Sequence, residues 1–167
     1  RNSAICRDTK TILIHEKVIK KFGNQILKNL EKGGCKIIGD NKIKKFYKGK
    51  IQKATTKDWS KEYLSQIVSV KSVKNLDESI MHINKFGTMH TDCIITENKK
   101  SAKKFLDKVK SSIAMHNTST QFADGGEFGF GGEVGISTSK LPPRGPIGLN
   151  QLVSYKYQVT SKGKIRK

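Results

Sequence analysis

Apolar positions along the chain switch repeatedly between two spacings, one suited to strands and one to helices. Thr11 to His15 (TILIH) is a short apolar run rich in β-branched residues, which predicts a buried strand. From Glu16 to Lys32, Val18, Ile19, Phe22, Ile26, Leu27 and Leu30 fall at helical spacing, and Gly33-Gly34 stops the helix. Lys36 to Gly39 predicts a second short strand. Ile67 to Val73 (IVSVKSV) alternates with period two and predicts another. Asn75, with Glu78 three residues on, forms a capping pair for a helix through Phe86, and Gly87 ends it. Thr91 to Thr96 (TDCIIT) follows as a strand. Asn98 to Lys110 is an amphipathic helix with Ala102, Phe105, Leu106 and Val109 inward, and Ser112 to Asn117 is a further strand. Gln151 to Thr160 ends the pattern as an exposed strand. Two stretches carry weaker signals: Asn41 to Thr56 is basic and predicts a surface excursion, and Asp58 to Leu64 predicts a short helical turn carrying Trp59 and Glu62.

Strands alternating with helices predict an α/β domain with a mainly parallel sheet. No internal repeat interrupts that order. The stretch from Phe122 to Gly148 stands apart. Gly125, Gly126, Gly129, Gly131, Gly132 and Gly135 exclude a regular helix there, because each internal glycine costs about 0.5–1 kcal/mol relative to alanine. A flexible linker would be padded with serine. Here the glycines are interleaved with Glu127, Phe128, Phe130, Glu133 and Ile136, which predicts an ordered loop that approaches other backbone or a ligand closely.

This stretch and its continuation, FADGGEFGFGGEVGISTSKLPPRGPIGLNQLVSYKY, closely resemble the C-terminal signature of the gamma-glutamyl phosphate reductases, also called glutamate-5-semialdehyde dehydrogenases, of the aldehyde dehydrogenase superfamily. The resemblance covers nearly the whole chain. It implies an aldehyde-dehydrogenase-like catalytic domain over 1–121, a glycine-rich active-site loop and turn over 122–150, and an extended oligomerisation strand with a basic tail over 151–167. That strand is expected to reach across to a neighbouring subunit. The activity implied is NADPH-dependent reduction of L-glutamate 5-phosphate to glutamate 5-semialdehyde and phosphate, in proline biosynthesis, through a cysteine thioester.

Composition narrows the setting. At 167 residues the chain suits one domain with a real core. No stretch approaches the roughly 20 apolar residues of a membrane helix, and no signal peptide is visible, so a cytoplasmic protein without a membrane partner is expected. Cys6, Cys35 and Cys93 are scattered without metal-like pairing, which suits a reducing compartment and no metal site. The net charge of +19 permits binding to polyanions. Only Arg1, Arg7, Arg144 and Arg166 are arginine, however, and the bidentate fork favoured in phosphate and base recognition is scarce. Nucleic-acid binding as the main function is therefore disfavoured.

The candidate chemistry follows from the resemblance. Cys6 precedes TILIH at the distance at which the family's nucleophile precedes a strand of the form TLLVH. A thiolate there attacks an acyl phosphate and expels phosphate, leaving a thioester for reduction. The family carries asparagine next and glutamate three residues further on, where this chain has Arg7 and Lys10. These cations either favour the thiolate or mark substitution without selection, and both readings stand. Glu62 matches the acidic residue that relatives use to hold the nicotinamide ribose hydroxyls, a task for which a carboxylate acceptor is suited. His90, Thr91 and Asp92 match a family motif near the active site, with His90 read as a structural residue. Asn117 and Ser119 correspond to substrate contacts, and the amides of Gly125 and Gly126 are candidates for binding an anionic substrate. Arg144 either holds a carboxylate or pins the loop. Cys35 and Cys93 are expected to act as small buried hydrophobes.

The family's cofactor-binding half precedes the nucleophile. It is expected to be missing here, and no glycine fingerprint replaces it. The chain on its own is thus expected not to bind NADPH productively. Three readings follow: a catalytic half working with a cofactor-binding half or in a homo-oligomer, an inactive remnant, or a lysine-rich anion-binding protein on the old scaffold.

Overall fold

The computed structural model describes residues 9–166. Strand β1 (Thr11–His15) is followed by helix α1 (Glu16–Lys32), whose first turn is capped by the His15 ring accepting from the Lys17 amide. Gly33 and Gly34 end it, with Gly34 at φ +82, a left-handed conformation open to glycine. Strand β2 (Lys36–Gly39), helix α2 (Asn41–Phe46) and strand β3 (Ile51–Lys53) come next. A single 3-10 turn (Thr56–Trp59) and an irregular loop lead to strand β4 (Ile67–Val73). Helix α3 (Leu76–Phe86) is capped by Asn75, which accepts from the Glu78 amide, while Glu78 accepts from the Lys74 amide. Strand β5 (Thr91–Ile94), helix α4 (Lys99–Lys108) and strand β6 (Ile113–His116) complete the α/β part.

The first four strands form one parallel sheet in the order β1-β4-β2-β3, and β5 pairs with β6, also in parallel. Parallel pairing needs crossovers, and the helices supply them. The main core lies between α1, α2 and the sheet, built from Ile14, Ile19, Leu27, Ile37, Ile43, Val68 and Val70. A second cluster of Ile80, Phe105 and Val109 joins α3 to α4. The α/β fold with a mainly parallel sheet flanked by helices is therefore as expected.

Several boundaries differ, each for an identifiable reason. Asn41 to Thr56 is an ordered edge of the sheet rather than a loose excursion. The Asp40 carboxylate caps α2 at the Ile43 amide and also accepts from the Ser72 amide and hydroxyl. Ile43 is fully buried. The helical turn expected at Asp58 to Leu64 starts earlier, at Thr56, and ends at Trp59, and Leu64 has φ +50. The period-two alternation of β4 does not mark one wet face. Ser69 and Ser72 are buried because the strand is central and covered on both sides. Leu106, expected inward, is 39% exposed.

The glycine-rich stretch is ordered. Strands β7 (Gly135–Ser137) and β8 (Gly145–Ile147) pair in antiparallel fashion around the proline-rich turn. The loop before them packs onto itself so closely that a Cβ on Gly125 would lie 3.0 Å from the Gly132 carbonyl, and one on Gly148 2.9 Å from Phe130 Cβ. The stretch expected as a strand from Gln151 to Thr160 begins in a 3-10 turn (Leu149–Gln151) and then pairs with nothing among the described residues. A strand needs a hydrogen-bonded neighbour, and no described segment pairs with this one.

Candidate functional site

Cys6, the predicted nucleophile, lies outside the described residues, as does Arg7. Lys10 and Glu62 are described, and the fold brings them together. Lys10 immediately precedes β1, and Glu62 lies in the irregular loop leading to β4, the strand paired with β1. Their ion pair measures 2.7 Å from Lys10 Nζ to Glu62 Oε1. Asp92, in β5, lies close enough to feel the Lys10 charge. Burial drives the Asp92 carboxyl up to about 6. The hydroxyl of Ser111, which donates to it, and the Lys10 ammonium both act in the opposite direction without overcoming burial. Lys10 thus lies between a half-exposed glutamate with which it pairs and an aspartic acid that feels its charge.

The Glu62 loop is anchored on its other flank. Asp58 accepts from the Thr55 amide and hydroxyl, and the Tyr63 hydroxyl donates to Asp58 Oδ1 at 2.9 Å. The Tyr63 hydroxyl also meets Ser69 Oγ at 3.1 Å. Those donors hold the Asp58 carboxyl below its ordinary range, Thr55 contributing most.

The residues expected to contact substrate are already engaged within the chain. Asn117, at φ +51, accepts from the Thr96 amide at 2.8 Å and donates to the Thr96 carbonyl at 3.0 Å, clamping the ends of β5 and β6 together. Ser119 Oγ accepts from the Gln121 amide and caps a 3-10 turn (Thr120–Phe122). The Gly125 amide donates to the Glu133 carboxylate at 2.9 Å, so its expected anion is supplied from within. The Gly126 amide faces Asp124 Oδ1 at 3.4 Å, a longer contact, on an exposed part of the loop.

Arg144 had two readings. Its guanidinium donates to the Lys110 carbonyl, just before β6, while the Ser112 hydroxyl sits between the Met89 and Ser137 carbonyls, 2.9 Å from each, with its one proton to share. Together these fasten the β7–β8 hairpin to the β5–β6 pair. The same arginine borders a groove of about 620 Å³ lined also by Lys140, Asn150 and Gln151. His90 Nδ1 lies 2.6 Å from Thr91 Oγ1. Cys35 packs against the main core and Cys93 against Ile113, Met115 and Ala123, but both are half-buried rather than buried, and the Cys93 thiol also donates to the Thr118 carbonyl at 3.1 Å.

Lys10 and Glu133 are the site residues that sequence reasoning passed over as partners. In the sequence Lys10 reads only as a neighbour of Cys6, and Glu133 only as a residue set between glycines. For Glu133 the signal was present, since an acid among glycine amides is a ready acceptor. No local signal joins Lys10 to Glu62. Among the described residues no group of three or more His, Cys, Asp or Glu is placed to hold a metal ion, and no helix is long and apolar enough to cross a membrane.

Comparison with known proteins fits this architecture. The gamma-glutamyl phosphate reductase of Rhodospirillum rubrum is 45% identical over 166 residues, which is 99% of this chain and 39% of that protein. That of Trichodesmium erythraeum is 46% identical over 97% of this chain and 37% of its own length. The chain therefore spans about two fifths of the length of these curated relatives. The crystal structure of a gamma-glutamyl phosphate reductase from Thermotoga maritima superposes with a TM-score of 0.95 at 40% identity, covering 100% of this chain and 40% of that one. An acetylating aldehyde dehydrogenase from Geobacillus thermoglucosidasius shares the fold at a TM-score of 0.65 and 14% identity, over 96% of this chain and 46% of its own. The sequence model of the aldehyde dehydrogenase family matches residues 7–138. With gamma-glutamyl phosphate reductases as its relatives along nearly its full length, the chain belongs to the aldehyde dehydrogenase family.

Proposed function

We propose that this chain is the catalytic part of a gamma-glutamyl phosphate reductase, which converts L-glutamate 5-phosphate to glutamate 5-semialdehyde and phosphate with NADPH, in the cytoplasm. The observation that carries the reading is the superposition on the Thermotoga maritima reductase along the whole chain at 40% identity. In this reading the Cys6 thiolate attacks the acyl carbon of the substrate, a C–S bond forms, the carbon–oxygen bond to phosphate breaks, and phosphate leaves. When bound, NADPH would supply a hydride to the thioester carbon. Cleavage of the C–S bond in the resulting thiohemiacetal would release the aldehyde and return Cys6 as thiolate.

The residues present fit such a cofactor at one point. Glu62 Oε1 is taken by Lys10, while the side chain remains 44% exposed, with acceptor capacity left for ribose hydroxyls. In this reading Glu62 holds the ribose. Asn117 and Ser119 shape the substrate's surroundings by fixing the backbone after β6, Gly125 and Gly126 line the loop over it, and Arg144 ties the hairpin down. The remaining cofactor contacts come from a partner part, and residues 151–167 pair with a second copy.

A folded but inactive chain is the competing reading. It is favoured by the engagement of Asn117 and Gly125 within the chain. Turnover of glutamate 5-phosphate separates the two. The chain is mixed with the cofactor-binding part of the Rhodospirillum rubrum relative, with Cys6→Ala as the control. Cys6-dependent consumption of NADPH is the expected result. A folded, associated mixture without turnover overturns the catalytic reading.

A further inference from the structure

Lys10 stands where three segments meet. Its carbonyl accepts from the Ser69 amide at 2.9 Å, which extends the β1–β4 pairing by one bond and fixes its backbone. Its ammonium reaches Glu62, and its side chain is only 24% exposed. Ser69 Oγ in turn donates to the Asp58 carbonyl at 3.3 Å, in the 3-10 turn that leads into the loop carrying Glu62. One buried serine therefore couples the backbone of Lys10 to the loop whose carboxylate Lys10 grips. The loop is held at two points, the Asp58–Tyr63–Ser69 knot and the Lys10–Glu62 pair.

We infer that Lys10 is a positioning residue for cofactor binding: its ammonium holds Glu62 through Oε1 so that the remaining acceptor positions of the carboxylate face the two ribose hydroxyls of NADPH. The inference rests on the ribose-binding reading of Glu62. A glutamate on an irregular, half-exposed loop samples many rotamers, and ordering it only when the ligand arrives is charged against affinity. Ordering it beforehand removes that cost. The pair does not block the site, because an ionised carboxylate has about four acceptor positions and a single ammonium contact leaves several open. Asp92, whose carboxyl already accepts from Ser111, feels the Lys10 charge, but the ammonium makes its ion pair with Glu62.

The test uses the reductase reassembled from this chain and the cofactor-binding part of the Rhodospirillum rubrum relative. Lys10→Met, Lys10→Arg, Glu62→Gln and the Lys10→Met/Glu62→Gln double variant are compared. Lys10→Met is expected to raise the KM for NADPH about two- to fivefold, the range of a partly exposed ion pair. Maximal turnover and the KM for glutamate 5-phosphate should stay as they were. Lys10→Arg should restore most of the affinity, and the double variant should be no worse than Glu62→Gln alone, because both changes remove one device.

A raised KM in Glu62→Gln beside an unchanged one in Lys10→Met overturns the positioning role and leaves Glu62 in place. No change in Glu62→Gln overturns the ribose reading itself. Slower release of phosphate by Lys10→Met before any NADPH is added also overturns the proposal, since the lysine then acts on the Cys6 thiol. If the assembly does not turn over, titration of NADPH against it gives the same comparison through dissociation constants. Absence of saturable binding by the unaltered assembly overturns both readings.

Discussion

The four-stranded sheet and the segment from Phe122 onward solve the same problem of order by opposite means. In the sheet, apolar side chains do the holding: Leu27, Ile43 and Val70 are fully buried between helices and strands of the same chain. Beyond Phe122 the backbone and a few polar clips do it. Gly125 binds Glu133, Ser112 binds Ser137, and Arg144 binds Lys110. The apolar side chains there point elsewhere. Phe128, Phe130, Val134, Leu141, Leu152, Val153, Tyr155, Tyr157 and Val159 are all exposed. Exposed apolar groups gathered in one segment mark a surface that meets something else, whereas singly scattered ones do not. The sheet is held by apolar contacts with its own helices, whereas the C-terminal segment leaves most of its apolar side chains exposed.

The sharpest way to break that contrast is truncation on each side of it. Leu27→Ala should cost about 2–5 kcal/mol in urea unfolding, because it opens a cavity in a closed core. Tyr157→Ala in the isolated chain should change stability by less than about 0.5 kcal/mol. A large loss from Tyr157→Ala would mean that the tail packs onto its own chain.

Titration makes a second comparison, between the helix covering the sheet and the β5–β6 pair. Asp92 is raised from its ordinary 3.8 to about 6 by burial. Between those values the folded chain holds a proton that the unfolded chain has lost, so stability falls as pH rises through this window. The loss levels off above about 6, at up to about 3 kcal/mol. Asp92→Asn should remove that slope and raise the melting temperature at neutral pH. His82, on α3, runs the other way. Burial, reinforced by Lys71, lowers it from 6.5 to about 4, and its Nε2 meets no hydrogen-bond partner among the described residues. The unfolded chain takes up the proton first, so stability is full above 6.5 and declines as pH falls toward 4. His82→Phe, set between Trp59 and Phe86, should flatten that acid limb. Melting curves of the two variants from pH 4 to 8 would separate the contributions. Slopes of the same sign would show that one assignment is mistaken.

Within the loop the contrast shrinks to neighbouring glycines. Gly125→Ala should destabilise by about 1–3 kcal/mol, since the new Cβ meets the Gly132 carbonyl and the Glu133 side chain at 3.0 Å. Gly126→Ala meets nothing within 4 Å and should lie within about 0.5 kcal/mol of the parent. Amide exchange over residues 124–134 reads the difference locally. Equal protection in both variants would show that the loop yields rather than packs.

By itself the sequence determined the elements whose signals are local. The strand Thr11–His15, the helix Glu16–Lys32 with its glycine stop, the strand Lys36–Gly39 and the Asn75-capped helix were all legible, because period, cap and stop lie within a few residues of one another. So was the ordered character of the glycine-rich stretch, from the apolar and acidic residues set between its glycines. Where lysine dilutes the pattern, as from Asn41 to Lys53, the apolar anchors Ile43, Phe46, Tyr47 and Ile51 were too sparse to announce a helix and an edge strand. Their burial depends on a sheet that strands far apart in sequence must first assemble. Tertiary structure alone decided the pairing of Lys10 with Glu62, the clamp of Asn117 on Thr96 and the burial that raises Asp92. Each depends on parallel strands whose register is set by crossovers, and distance in space across such a sheet leaves no trace in local spacing.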